Sequence, residues 1–315
     1  MEILKIILPG RMINLRIDAA LSEMLPDYSR SKLTAWIKLG DALINNKTFK
    51  PKDKVVGNET VFLTLKEKDK NHWLPEKINL NIVFEDDDII VINKPYGLVT
   101  HPGAGNLTGT LANALLHYDS SLSNLDRVGI VHRLDKNTSG LMVVSKNIKS
   151  QKFLVEQLQT HSVEREYSAI VYGHMISGGS INKPIGRDSK DRVKQAVLSN
   201  GKEALTHYRA IDRFKNHTHV KVILETGRTH QIRVHLSHIG HPLIGDPVYG
   251  GRVRFPKKAS QQLKDVLINL QRQALHSKKL TLIHPTTGKS MSWKAELPED
   301  MLELLSTLRK YDQQS

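Results

Sequence analysis

Apolar positions along this 315-residue chain fall into two spacings, helical and alternating, and the changes between them outline most of the elements. The first ten residues, MEILKIILPG, read as a strand. Ile17, Ala20, Leu21 and Met24 or Leu25 then recur at helical spacing from Arg16 until Pro26 ends the run. Ser29 suits the N-cap of a second helix reaching Leu39, with Leu33, Trp36 and Ile37 as its apolar stripe and Gly40 as its stop. Strands follow at Ala42 to Asn45, before an Asn45-Asn46 turn, and at Val61 to Leu65. From Lys66 to Lys77 no hydrophobic period survives and Pro75 intervenes, which predicts a linker.

Beyond it, Ile82 to Glu85 and Ile89 to Asn93 predict a hairpin around Asp86 to Asp88, and Thr110 to Tyr118 a short helix. Two apolar runs, one ending at Ile130-Val131 and one at Leu141 to Val144, predict strand, loop, strand. Ile148 to Thr160 is helical by the spacing of Phe153, Leu154 and Leu158, and Val163 to Gly173 alternates as a strand. A strand ends at Thr226-Gly227, and His230 to Ile239 reads as a helix closed by Gly240. Leu275 to Ile283 and Ser290 to Ala295 are strands around a Pro285 to Gly288 turn, and Glu299 to Arg309 is a last helix. Strands and helices do not alternate as in a doubly wound fold, so the expected class is α+β with a mixed, mainly antiparallel sheet and flanking helices.

Composition narrows the class of partner. Hydrophobic residues make up 39% and charged residues 25%, as in an ordinary soluble protein, and the length suits two or three domains. The 46 Lys and Arg against 32 Asp and Glu leave a net charge of +14, which calls for a polyanion, nucleic acid before membrane. There is no Cys, so disulfides, thiolate metal sites and cysteine nucleophiles are excluded. The N-terminal run has no basic segment before it and no cleavage site after it, and no window has the apolar length to cross a bilayer. A soluble, cytoplasmic protein is expected.

Candidate chemistry centres on GIVHRLDKNTSGLMVVSK, Gly129 to Lys146, where Asp135 follows Arg133 in a loop of residues that bond their own backbone. Residue types alone leave two readings open, a surface ion pair or a carboxylate aimed at a substrate. Other motifs are weaker. The glycines at 103, 105 and 109 miss the dinucleotide spacing, three adjacent Asp residues on a turn diverge, and His230, His235, His238 and His241 lack the HExxH pattern. No metal and no cofactor are expected.

The string HRLDKNTSGL, His132 to Leu141, resembles the signature of the RluA-like pseudouridine synthases. The resemblance implies that Asp135 is catalytic. It implies that Tyr167 of VEREYSAIVYG stacks on the target uracil, and that Arg228 of LETGRTHQIRVHLSHIGHPLIGDPVYG pairs with the catalytic carboxylate. Arg133 would fill the space the base vacates, with His132 beside it against the substrate, and the loop KPYGLVTHP, Lys94 to Pro102, would pack beneath, Lys94 at most supporting it. Arg16 to Lys47 resembles the S4 RNA-binding domain, which nominates Arg30, Lys32, Lys38 and Lys47 as phosphate contacts. The expected domains are 1–72, S4-like with linker, and 73–315, catalytic. Arg252 to Arg272 is either an RNA-facing insertion before a helix or a solvated loop.

Motif order most resembles the branch of that family that modifies RNA of the large ribosomal particle. This implies structured RNA as partner, 23S rRNA or such a particle, and a monomer is favoured. The alternatives are a synthase acting on tRNA and a non-catalytic ribosome-assembly factor using only an S4 module. A glycosidase ranks last because it needs a second carboxylate.

Overall fold

The computed structural model describes residues 2–26, 28, 30–65, 73–103, 105–191 and 193–314, and the chain divides into two compact units, Met1–His72 and Trp73–Ser315. In the first unit, β1 (Glu2–Ile7), α1 (Ile17–Met24), α2 (Arg30–Leu39), β2 (Ala42–Ile44) and β3 (Thr60–Leu65) form a three-stranded antiparallel sheet, order β1-β3-β2, with two helices. Leu8, Met12, Leu21, Leu33 and Leu63 are fully buried in its core, so the apolar stripes expected of both helices do face inward. Asp18, 4% exposed, lies beneath Arg16 and Arg30, which both pair with it. The expected cap Ser29, the side chain of Lys32 and the expected linker up to His72 lie outside the described residues.

The second unit opens with residues 73–81 and runs through β4 (Ile82–Glu85), β5 (Ile89–Lys94), α3 (Leu111–Tyr118), β6 (Ser139–Ser145), α4 (Ile148–Gln159) and β7 (Glu164–Tyr172). Then come β8 (Gly179–Asn182), β9 (Ile185–Arg187), β10 (Gln195–Val197), β11 (Leu205–Arg213), β12 (His217–Leu224), α5 (Gln231–His238), α6 (Gln261–Asn269), β13 (Leu275–Ile283), β14 (Ser290–Lys294) and α7 (Glu299–Gln314). Nine strands make one sheet, β4-β5-β6-β13-β7-β12-β11-β8 with β14 on β13, while β9 and β10 form a separate hairpin. All pairs in the large sheet are antiparallel except the short β6 and β13 contact.

Strand alternation builds two cores on the two faces of this sheet. Ile90, Ile92, Met142, Val144, Tyr167 and Ala169 pack with α3 and α5, whereas Ile89, Val91, Leu141 and Val143 pack with Leu154 of α4, and Ile170 and Tyr172 with α6 and α7. Both faces being covered explains why β5 and β6 read as continuous apolar runs. Among the described residues no helix is long and apolar enough to cross a membrane.

Several expectations need correction. Residues 73–77 are no linker: the Asn113 side chain donates to Leu74 O, Glu76 N–H to Asn113 O, and the Glu76 carboxylate accepts Gly109 N–H. Among the described residues no strand leads directly into the Asp135 loop. Arg127, Val128 and Gly129 have φ of 50°, 58° and 77°, so the chain coils left-handed there and only a single bridge, Ile130 to Val144, touches the sheet. The basic segment 252–272 contains α6, whose Leu263 and Leu267 are buried, and the last helix runs on to Gln314.

β6 approaches β13 so closely that a Cβ on Gly140, at φ 113°, would sit 2.3 Å from Ser277 O and 2.5 Å from Ser277 N. Gly140→Ala is therefore expected to cost about 2–4 kcal/mol in urea denaturation. Gly288→Ala, at φ 66° with nothing nearby, should cost only about 1 kcal/mol.

Candidate active site

The loop from His132 to Thr138 is held from every side by backbone contacts. His132 Nε2 accepts Val143 N–H at 3.0 Å, Thr100 Oγ1 donates to Leu134 O at 2.8 Å, and Thr138 N–H bonds Asp135 O at 3.0 Å. Gln273 Nε2 donates to Thr138 Oγ1, and Ser139 Oγ meets His276 Nδ1 at 2.9 Å. Beneath the loop Lys94 is fully buried and donates to the carbonyls of Pro95, Leu98 and Lys136 at 2.8, 2.9 and 3.1 Å. Burial pulls its pKa down to about 7 against the charge of Asp135. Three carbonyl acceptors nevertheless call for an ammonium, because a neutral amine has only two hydrogens to give. Lys94 is thus spent on loop shape.

Arg233, the third residue of α5, links this loop to a second acid. Its Nη1 donates to Asp135 Oδ2 at 3.0 Å, while Nε and Nη2 grip both oxygens of Asp246 at 2.8 and 2.9 Å. Arg233 and Asp246 are buried and the Asp135 side chain is 16% exposed, so two acids hold one cation and only one of them reaches the solvent side. Burial acts to lower the Arg233 pKa, but the hydrogen bond and charge of Asp246, then those of Asp135, raise it. Burial likewise acts to raise the Asp246 pKa, and Arg233 with the N–H groups of Val248 and Tyr249 brings it below the usual value.

The expected partner of Asp135, Arg228, does not make this pair. It is exposed in the turn before α5, where its Nε donates to Glu203 O and its backbone N–H to Gln231 Oε1, both at 2.9 Å. Five residues nearer the helix interior, Arg233 has the reach that Arg228 lacks. Gln231 fixes the turn by accepting from Thr226 Oγ1 and donating to Leu205 O and Thr206 Oγ1. Neither Arg233 nor Asp246 stands out in the sequence; the signal available is a second Arg in the TGRTHQIR string.

Asp135 opens into a cavity of about 620 Å³ lined also by His101, Arg127, His132, Arg133, Arg165, Tyr167, Arg228 and His230. The expected site residues Asp135, Tyr167, Arg133, His132 and Arg228 do share this one cavity, and among the described residues it is Arg233 that pairs with the carboxylate. Among the described residues Asp135 is the one acid lining it, against Arg127, Arg133, Arg165, Arg228 and Arg233. Tyr167 is buried, and burial raises its pKa, so the hydroxyl keeps its proton at neutral pH. Burial, helped by the charge of Arg165, pulls the His132 pKa to about 3 and keeps that imidazole neutral. Its proton is on Nδ1, because Nε2 accepts from the backbone.

The four histidines of the third motif bond separately: His230 to Tyr249 Oη, His235 to Thr206 Oγ1 and Lys183 O, and His241 to Tyr172 O, with His238 exposed. Asp86 and Asp88 do not diverge as expected of a turn, since both face His284. His284 Nδ1 accepts from Thr286 and Thr287 N–H, so its Nε2 carries the proton donated to Asp86 at 2.8 Å. That trio ties two turns together.

Residues 88–238 match the family model described as RNA pseudouridylate synthase. The chain is 52% identical over 295 residues to ribosomal large subunit pseudouridine synthase D of Yersinia pestis, covering 93% of this chain and 91% of the relative. It is also 52% identical to the protein of that name from Pseudomonas aeruginosa, at 94% and 92% coverage. Among solved structures, human RNA pseudouridylate synthase domain containing 4 aligns with a TM-score of 0.56 at 28% identity, over 73% of this chain and 93% of that one. Human RNA pseudouridylate synthase domain containing 1 shares the fold, with a TM-score of 0.54 at 24% identity over 74% and 96%.

Arg233→Met should cost about 3–5 kcal/mol in urea denaturation because it leaves two acids without their cation, whereas Arg228→Met should change stability by about 0.5 kcal/mol or less. The Asp246 pKa is lower folded than unfolded, so its contribution is complete above about pH 4 and is lost as pH falls through the folded value. Asp246→Asn is therefore expected to be less stable at neutral pH and to lose less on acidification than the unsubstituted protein, read from urea midpoints against pH.

Proposed function

The chain belongs to the RNA pseudouridylate synthase family, and on that footing we propose that it isomerises uridines of large-subunit ribosomal RNA, 23S rRNA, with Asp135 as the reacting group. It is an RNA pseudouridine synthase, an isomerase. The observation that carries the choice of residue is the single carboxylate of the cavity, held in place by Arg233 on a rigid loop. The names of relatives aligned over more than nine-tenths of the chain support the ribosomal substrate.

A uridine in structured RNA must leave its stack to enter a cavity of this size. Arg133, exposed at the cavity, fills the vacated place, and Tyr167 stacks on the base. The bond from C1′ to N1 breaks with its electron pair leaving on the uracil. C1′ is relieved either by the Asp135 carboxylate as nucleophile or by loss of the C2′ proton to it, a glycal route. The base turns, C5 bonds to C1′, the carboxylate is released or returns the C2′ proton, and the C5 proton is exchanged for one on N1. With the Tyr167 hydroxyl kept protonated by burial, Asp135 is favoured over it to receive the C5 proton. A two-acid hydrolytic mechanism gains no support from a cavity with one acid.

The unit Met1–His72 we read as an S4-like docking module. Lys38 and Lys47 are exposed on and after α2, and Arg30, paired with Asp18, keeps half of its side chain exposed. Such contacts add salt-sensitive affinity and orientation.

Pseudouridine mapping by carbodiimide-dependent primer-extension stops tests the reading in cells lacking the protein. Wild type should restore particular stops on 23S rRNA, and Asp135→Asn should restore none, its rate in vitro lower by at least about a thousandfold. Stops confined to tRNA would move the substrate there, and restoration by Asp135→Asn would overturn the assignment of the residue.

A further inference from the structure

Arg165 is a buried cation with no anion. It is 5% exposed, lines the cavity from β7, and among the described residues no carboxylate stands within ion-pairing distance. Every other buried arginine there has an acid: Arg233 has Asp135 and Asp246, and Arg272 has Asp300. Only Nη2 of Arg165 is engaged, donating to Glu225 O at 2.8 Å and Leu224 O at 3.4 Å at the end of β12. Nε is buried without a hydrogen-bond partner. Nη1 bonds no protein acceptor and lies where a Cβ on Gly227 would come within 2.8 Å, so a glycine at 227 makes room for it beside the cavity. Burying a charge unpaired is strongly unfavourable, and a fold retains such a group where a ligand supplies the opposite charge.

The reaction proposed above supplies one. Arg165 and Tyr167 alternate on one strand and share its cavity face, so the guanidinium stands one position along the strand from the ring assigned to stack on uracil. When the C1′ to N1 bond breaks, its electron pair spreads over N1, O2 and O4 of the departing base. We propose that Arg165 is a catalytic residue that donates from Nη1 to a carbonyl oxygen of the uracil and takes up this charge; the inference rests on the synthase reading. The alternative anion is a backbone phosphate. The near-complete burial of Arg165 favours a flat base edge over a bulky, hydrated phosphate. A cation waiting in a dry site is the usual device for stabilising charge that develops only during reaction.

The test is single-turnover kinetics on a 23S rRNA transcript modified by the wild type, at saturating enzyme, with RNA affinity measured in parallel. Arg165→Met is expected to lower the rate constant by about a hundredfold or more while Kd stays within about threefold. Arg165→Lys should recover part of the rate. Because the lost charge is unpaired, the thermal midpoint of Arg165→Met should match or exceed that of the wild type, which a purely structural arginine would not allow. Should Arg165→Met fail to fold, Arg165→Lys carries the test, with a rate about tenfold down at unchanged Kd. A raised Kd with the saturated rate intact assigns Arg165 to a phosphate and overturns the proposal, as does an unchanged rate. If the wild type forms no pseudouridine on ribosomal RNA, the synthase substrate reading fails first, and that outcome is distinct from an active wild type matched by Arg165→Met.

Discussion

The constraint on which the site depends is the sharing of one guanidinium between two carboxylates. Asp246, fully buried and further held by two backbone N–H groups, takes the bidentate face of Arg233 and fixes its plane. The remaining Nη1 then has one direction left, toward Asp135. A carboxylate pinned by a single hydrogen bond keeps its other oxygen for chemistry. Had Arg233 gripped Asp135 with its bidentate face instead, both oxygens would be occupied and none left for the role proposed for it. Buried ion pairs contribute little net stability, so the worth of this one lies in aim. Lys94 does the same for the loop backbone, since three carbonyls drawn to one ammonium leave the chain around Asp135 no slack.

Around that aimed carboxylate the cavity is strongly positive. Five arginines against one acid give a field that draws in a polyanion and then favours any step that moves electrons onto the substrate. Two ionisable neighbours are fixed by burial. Tyr167 holds its proton, and His132 stays neutral with its lone pair turned to the Val143 amide. The arginines divide by what holds them: Arg233 by acids, Arg228 by a carbonyl, Arg165 by carbonyls on one side only.

How much of this was legible in the sequence follows from how local each feature is. The Asp135 loop could be read because loop residues and the apolar run after it lie within eighteen residues. β5, β6, β7 and β13 could be read because both faces of the sheet are covered there, which demands long apolar runs. β8 to β11 went unread: β8 buries one residue of four and β11 alternates only partially, being near or at an edge with one face wet. The strand expected at Ile130-Val131 is absent because a β-branched Val128 sits at φ 58°, a conformation its identity argues against. The choice of Arg228 over Arg233 failed for a different reason. Both lie in one short string, and which of them reaches Asp135 is decided by where α5 begins and by Asp246, thirteen residues beyond Arg233.

The strained turn at Arg127 to Gly129 completes the argument about aim. Left-handed backbone at a non-glycine residue costs about 1–2 kcal/mol, and here two such residues precede a glycine whose Cβ would strike Ser145 O at 2.1 Å. Strain of that kind persists only where the surroundings impose it. Ser145 Oγ donates to Gly129 O at 3.0 Å, and Val128 is fully buried, so the turn is clamped at its last residue and anchored at its middle one. The turn takes the chain off the sheet shortly before His132, with only the Ile130 to Val144 bridge left, so that the Asp135 loop does not extend the sheet as another strand. An extended strand there would have aligned Arg133 and Asp135 on one face at strand spacing. The coil lets Arg133 stand exposed at the cavity while Asp135, two residues on, turns down to Arg233.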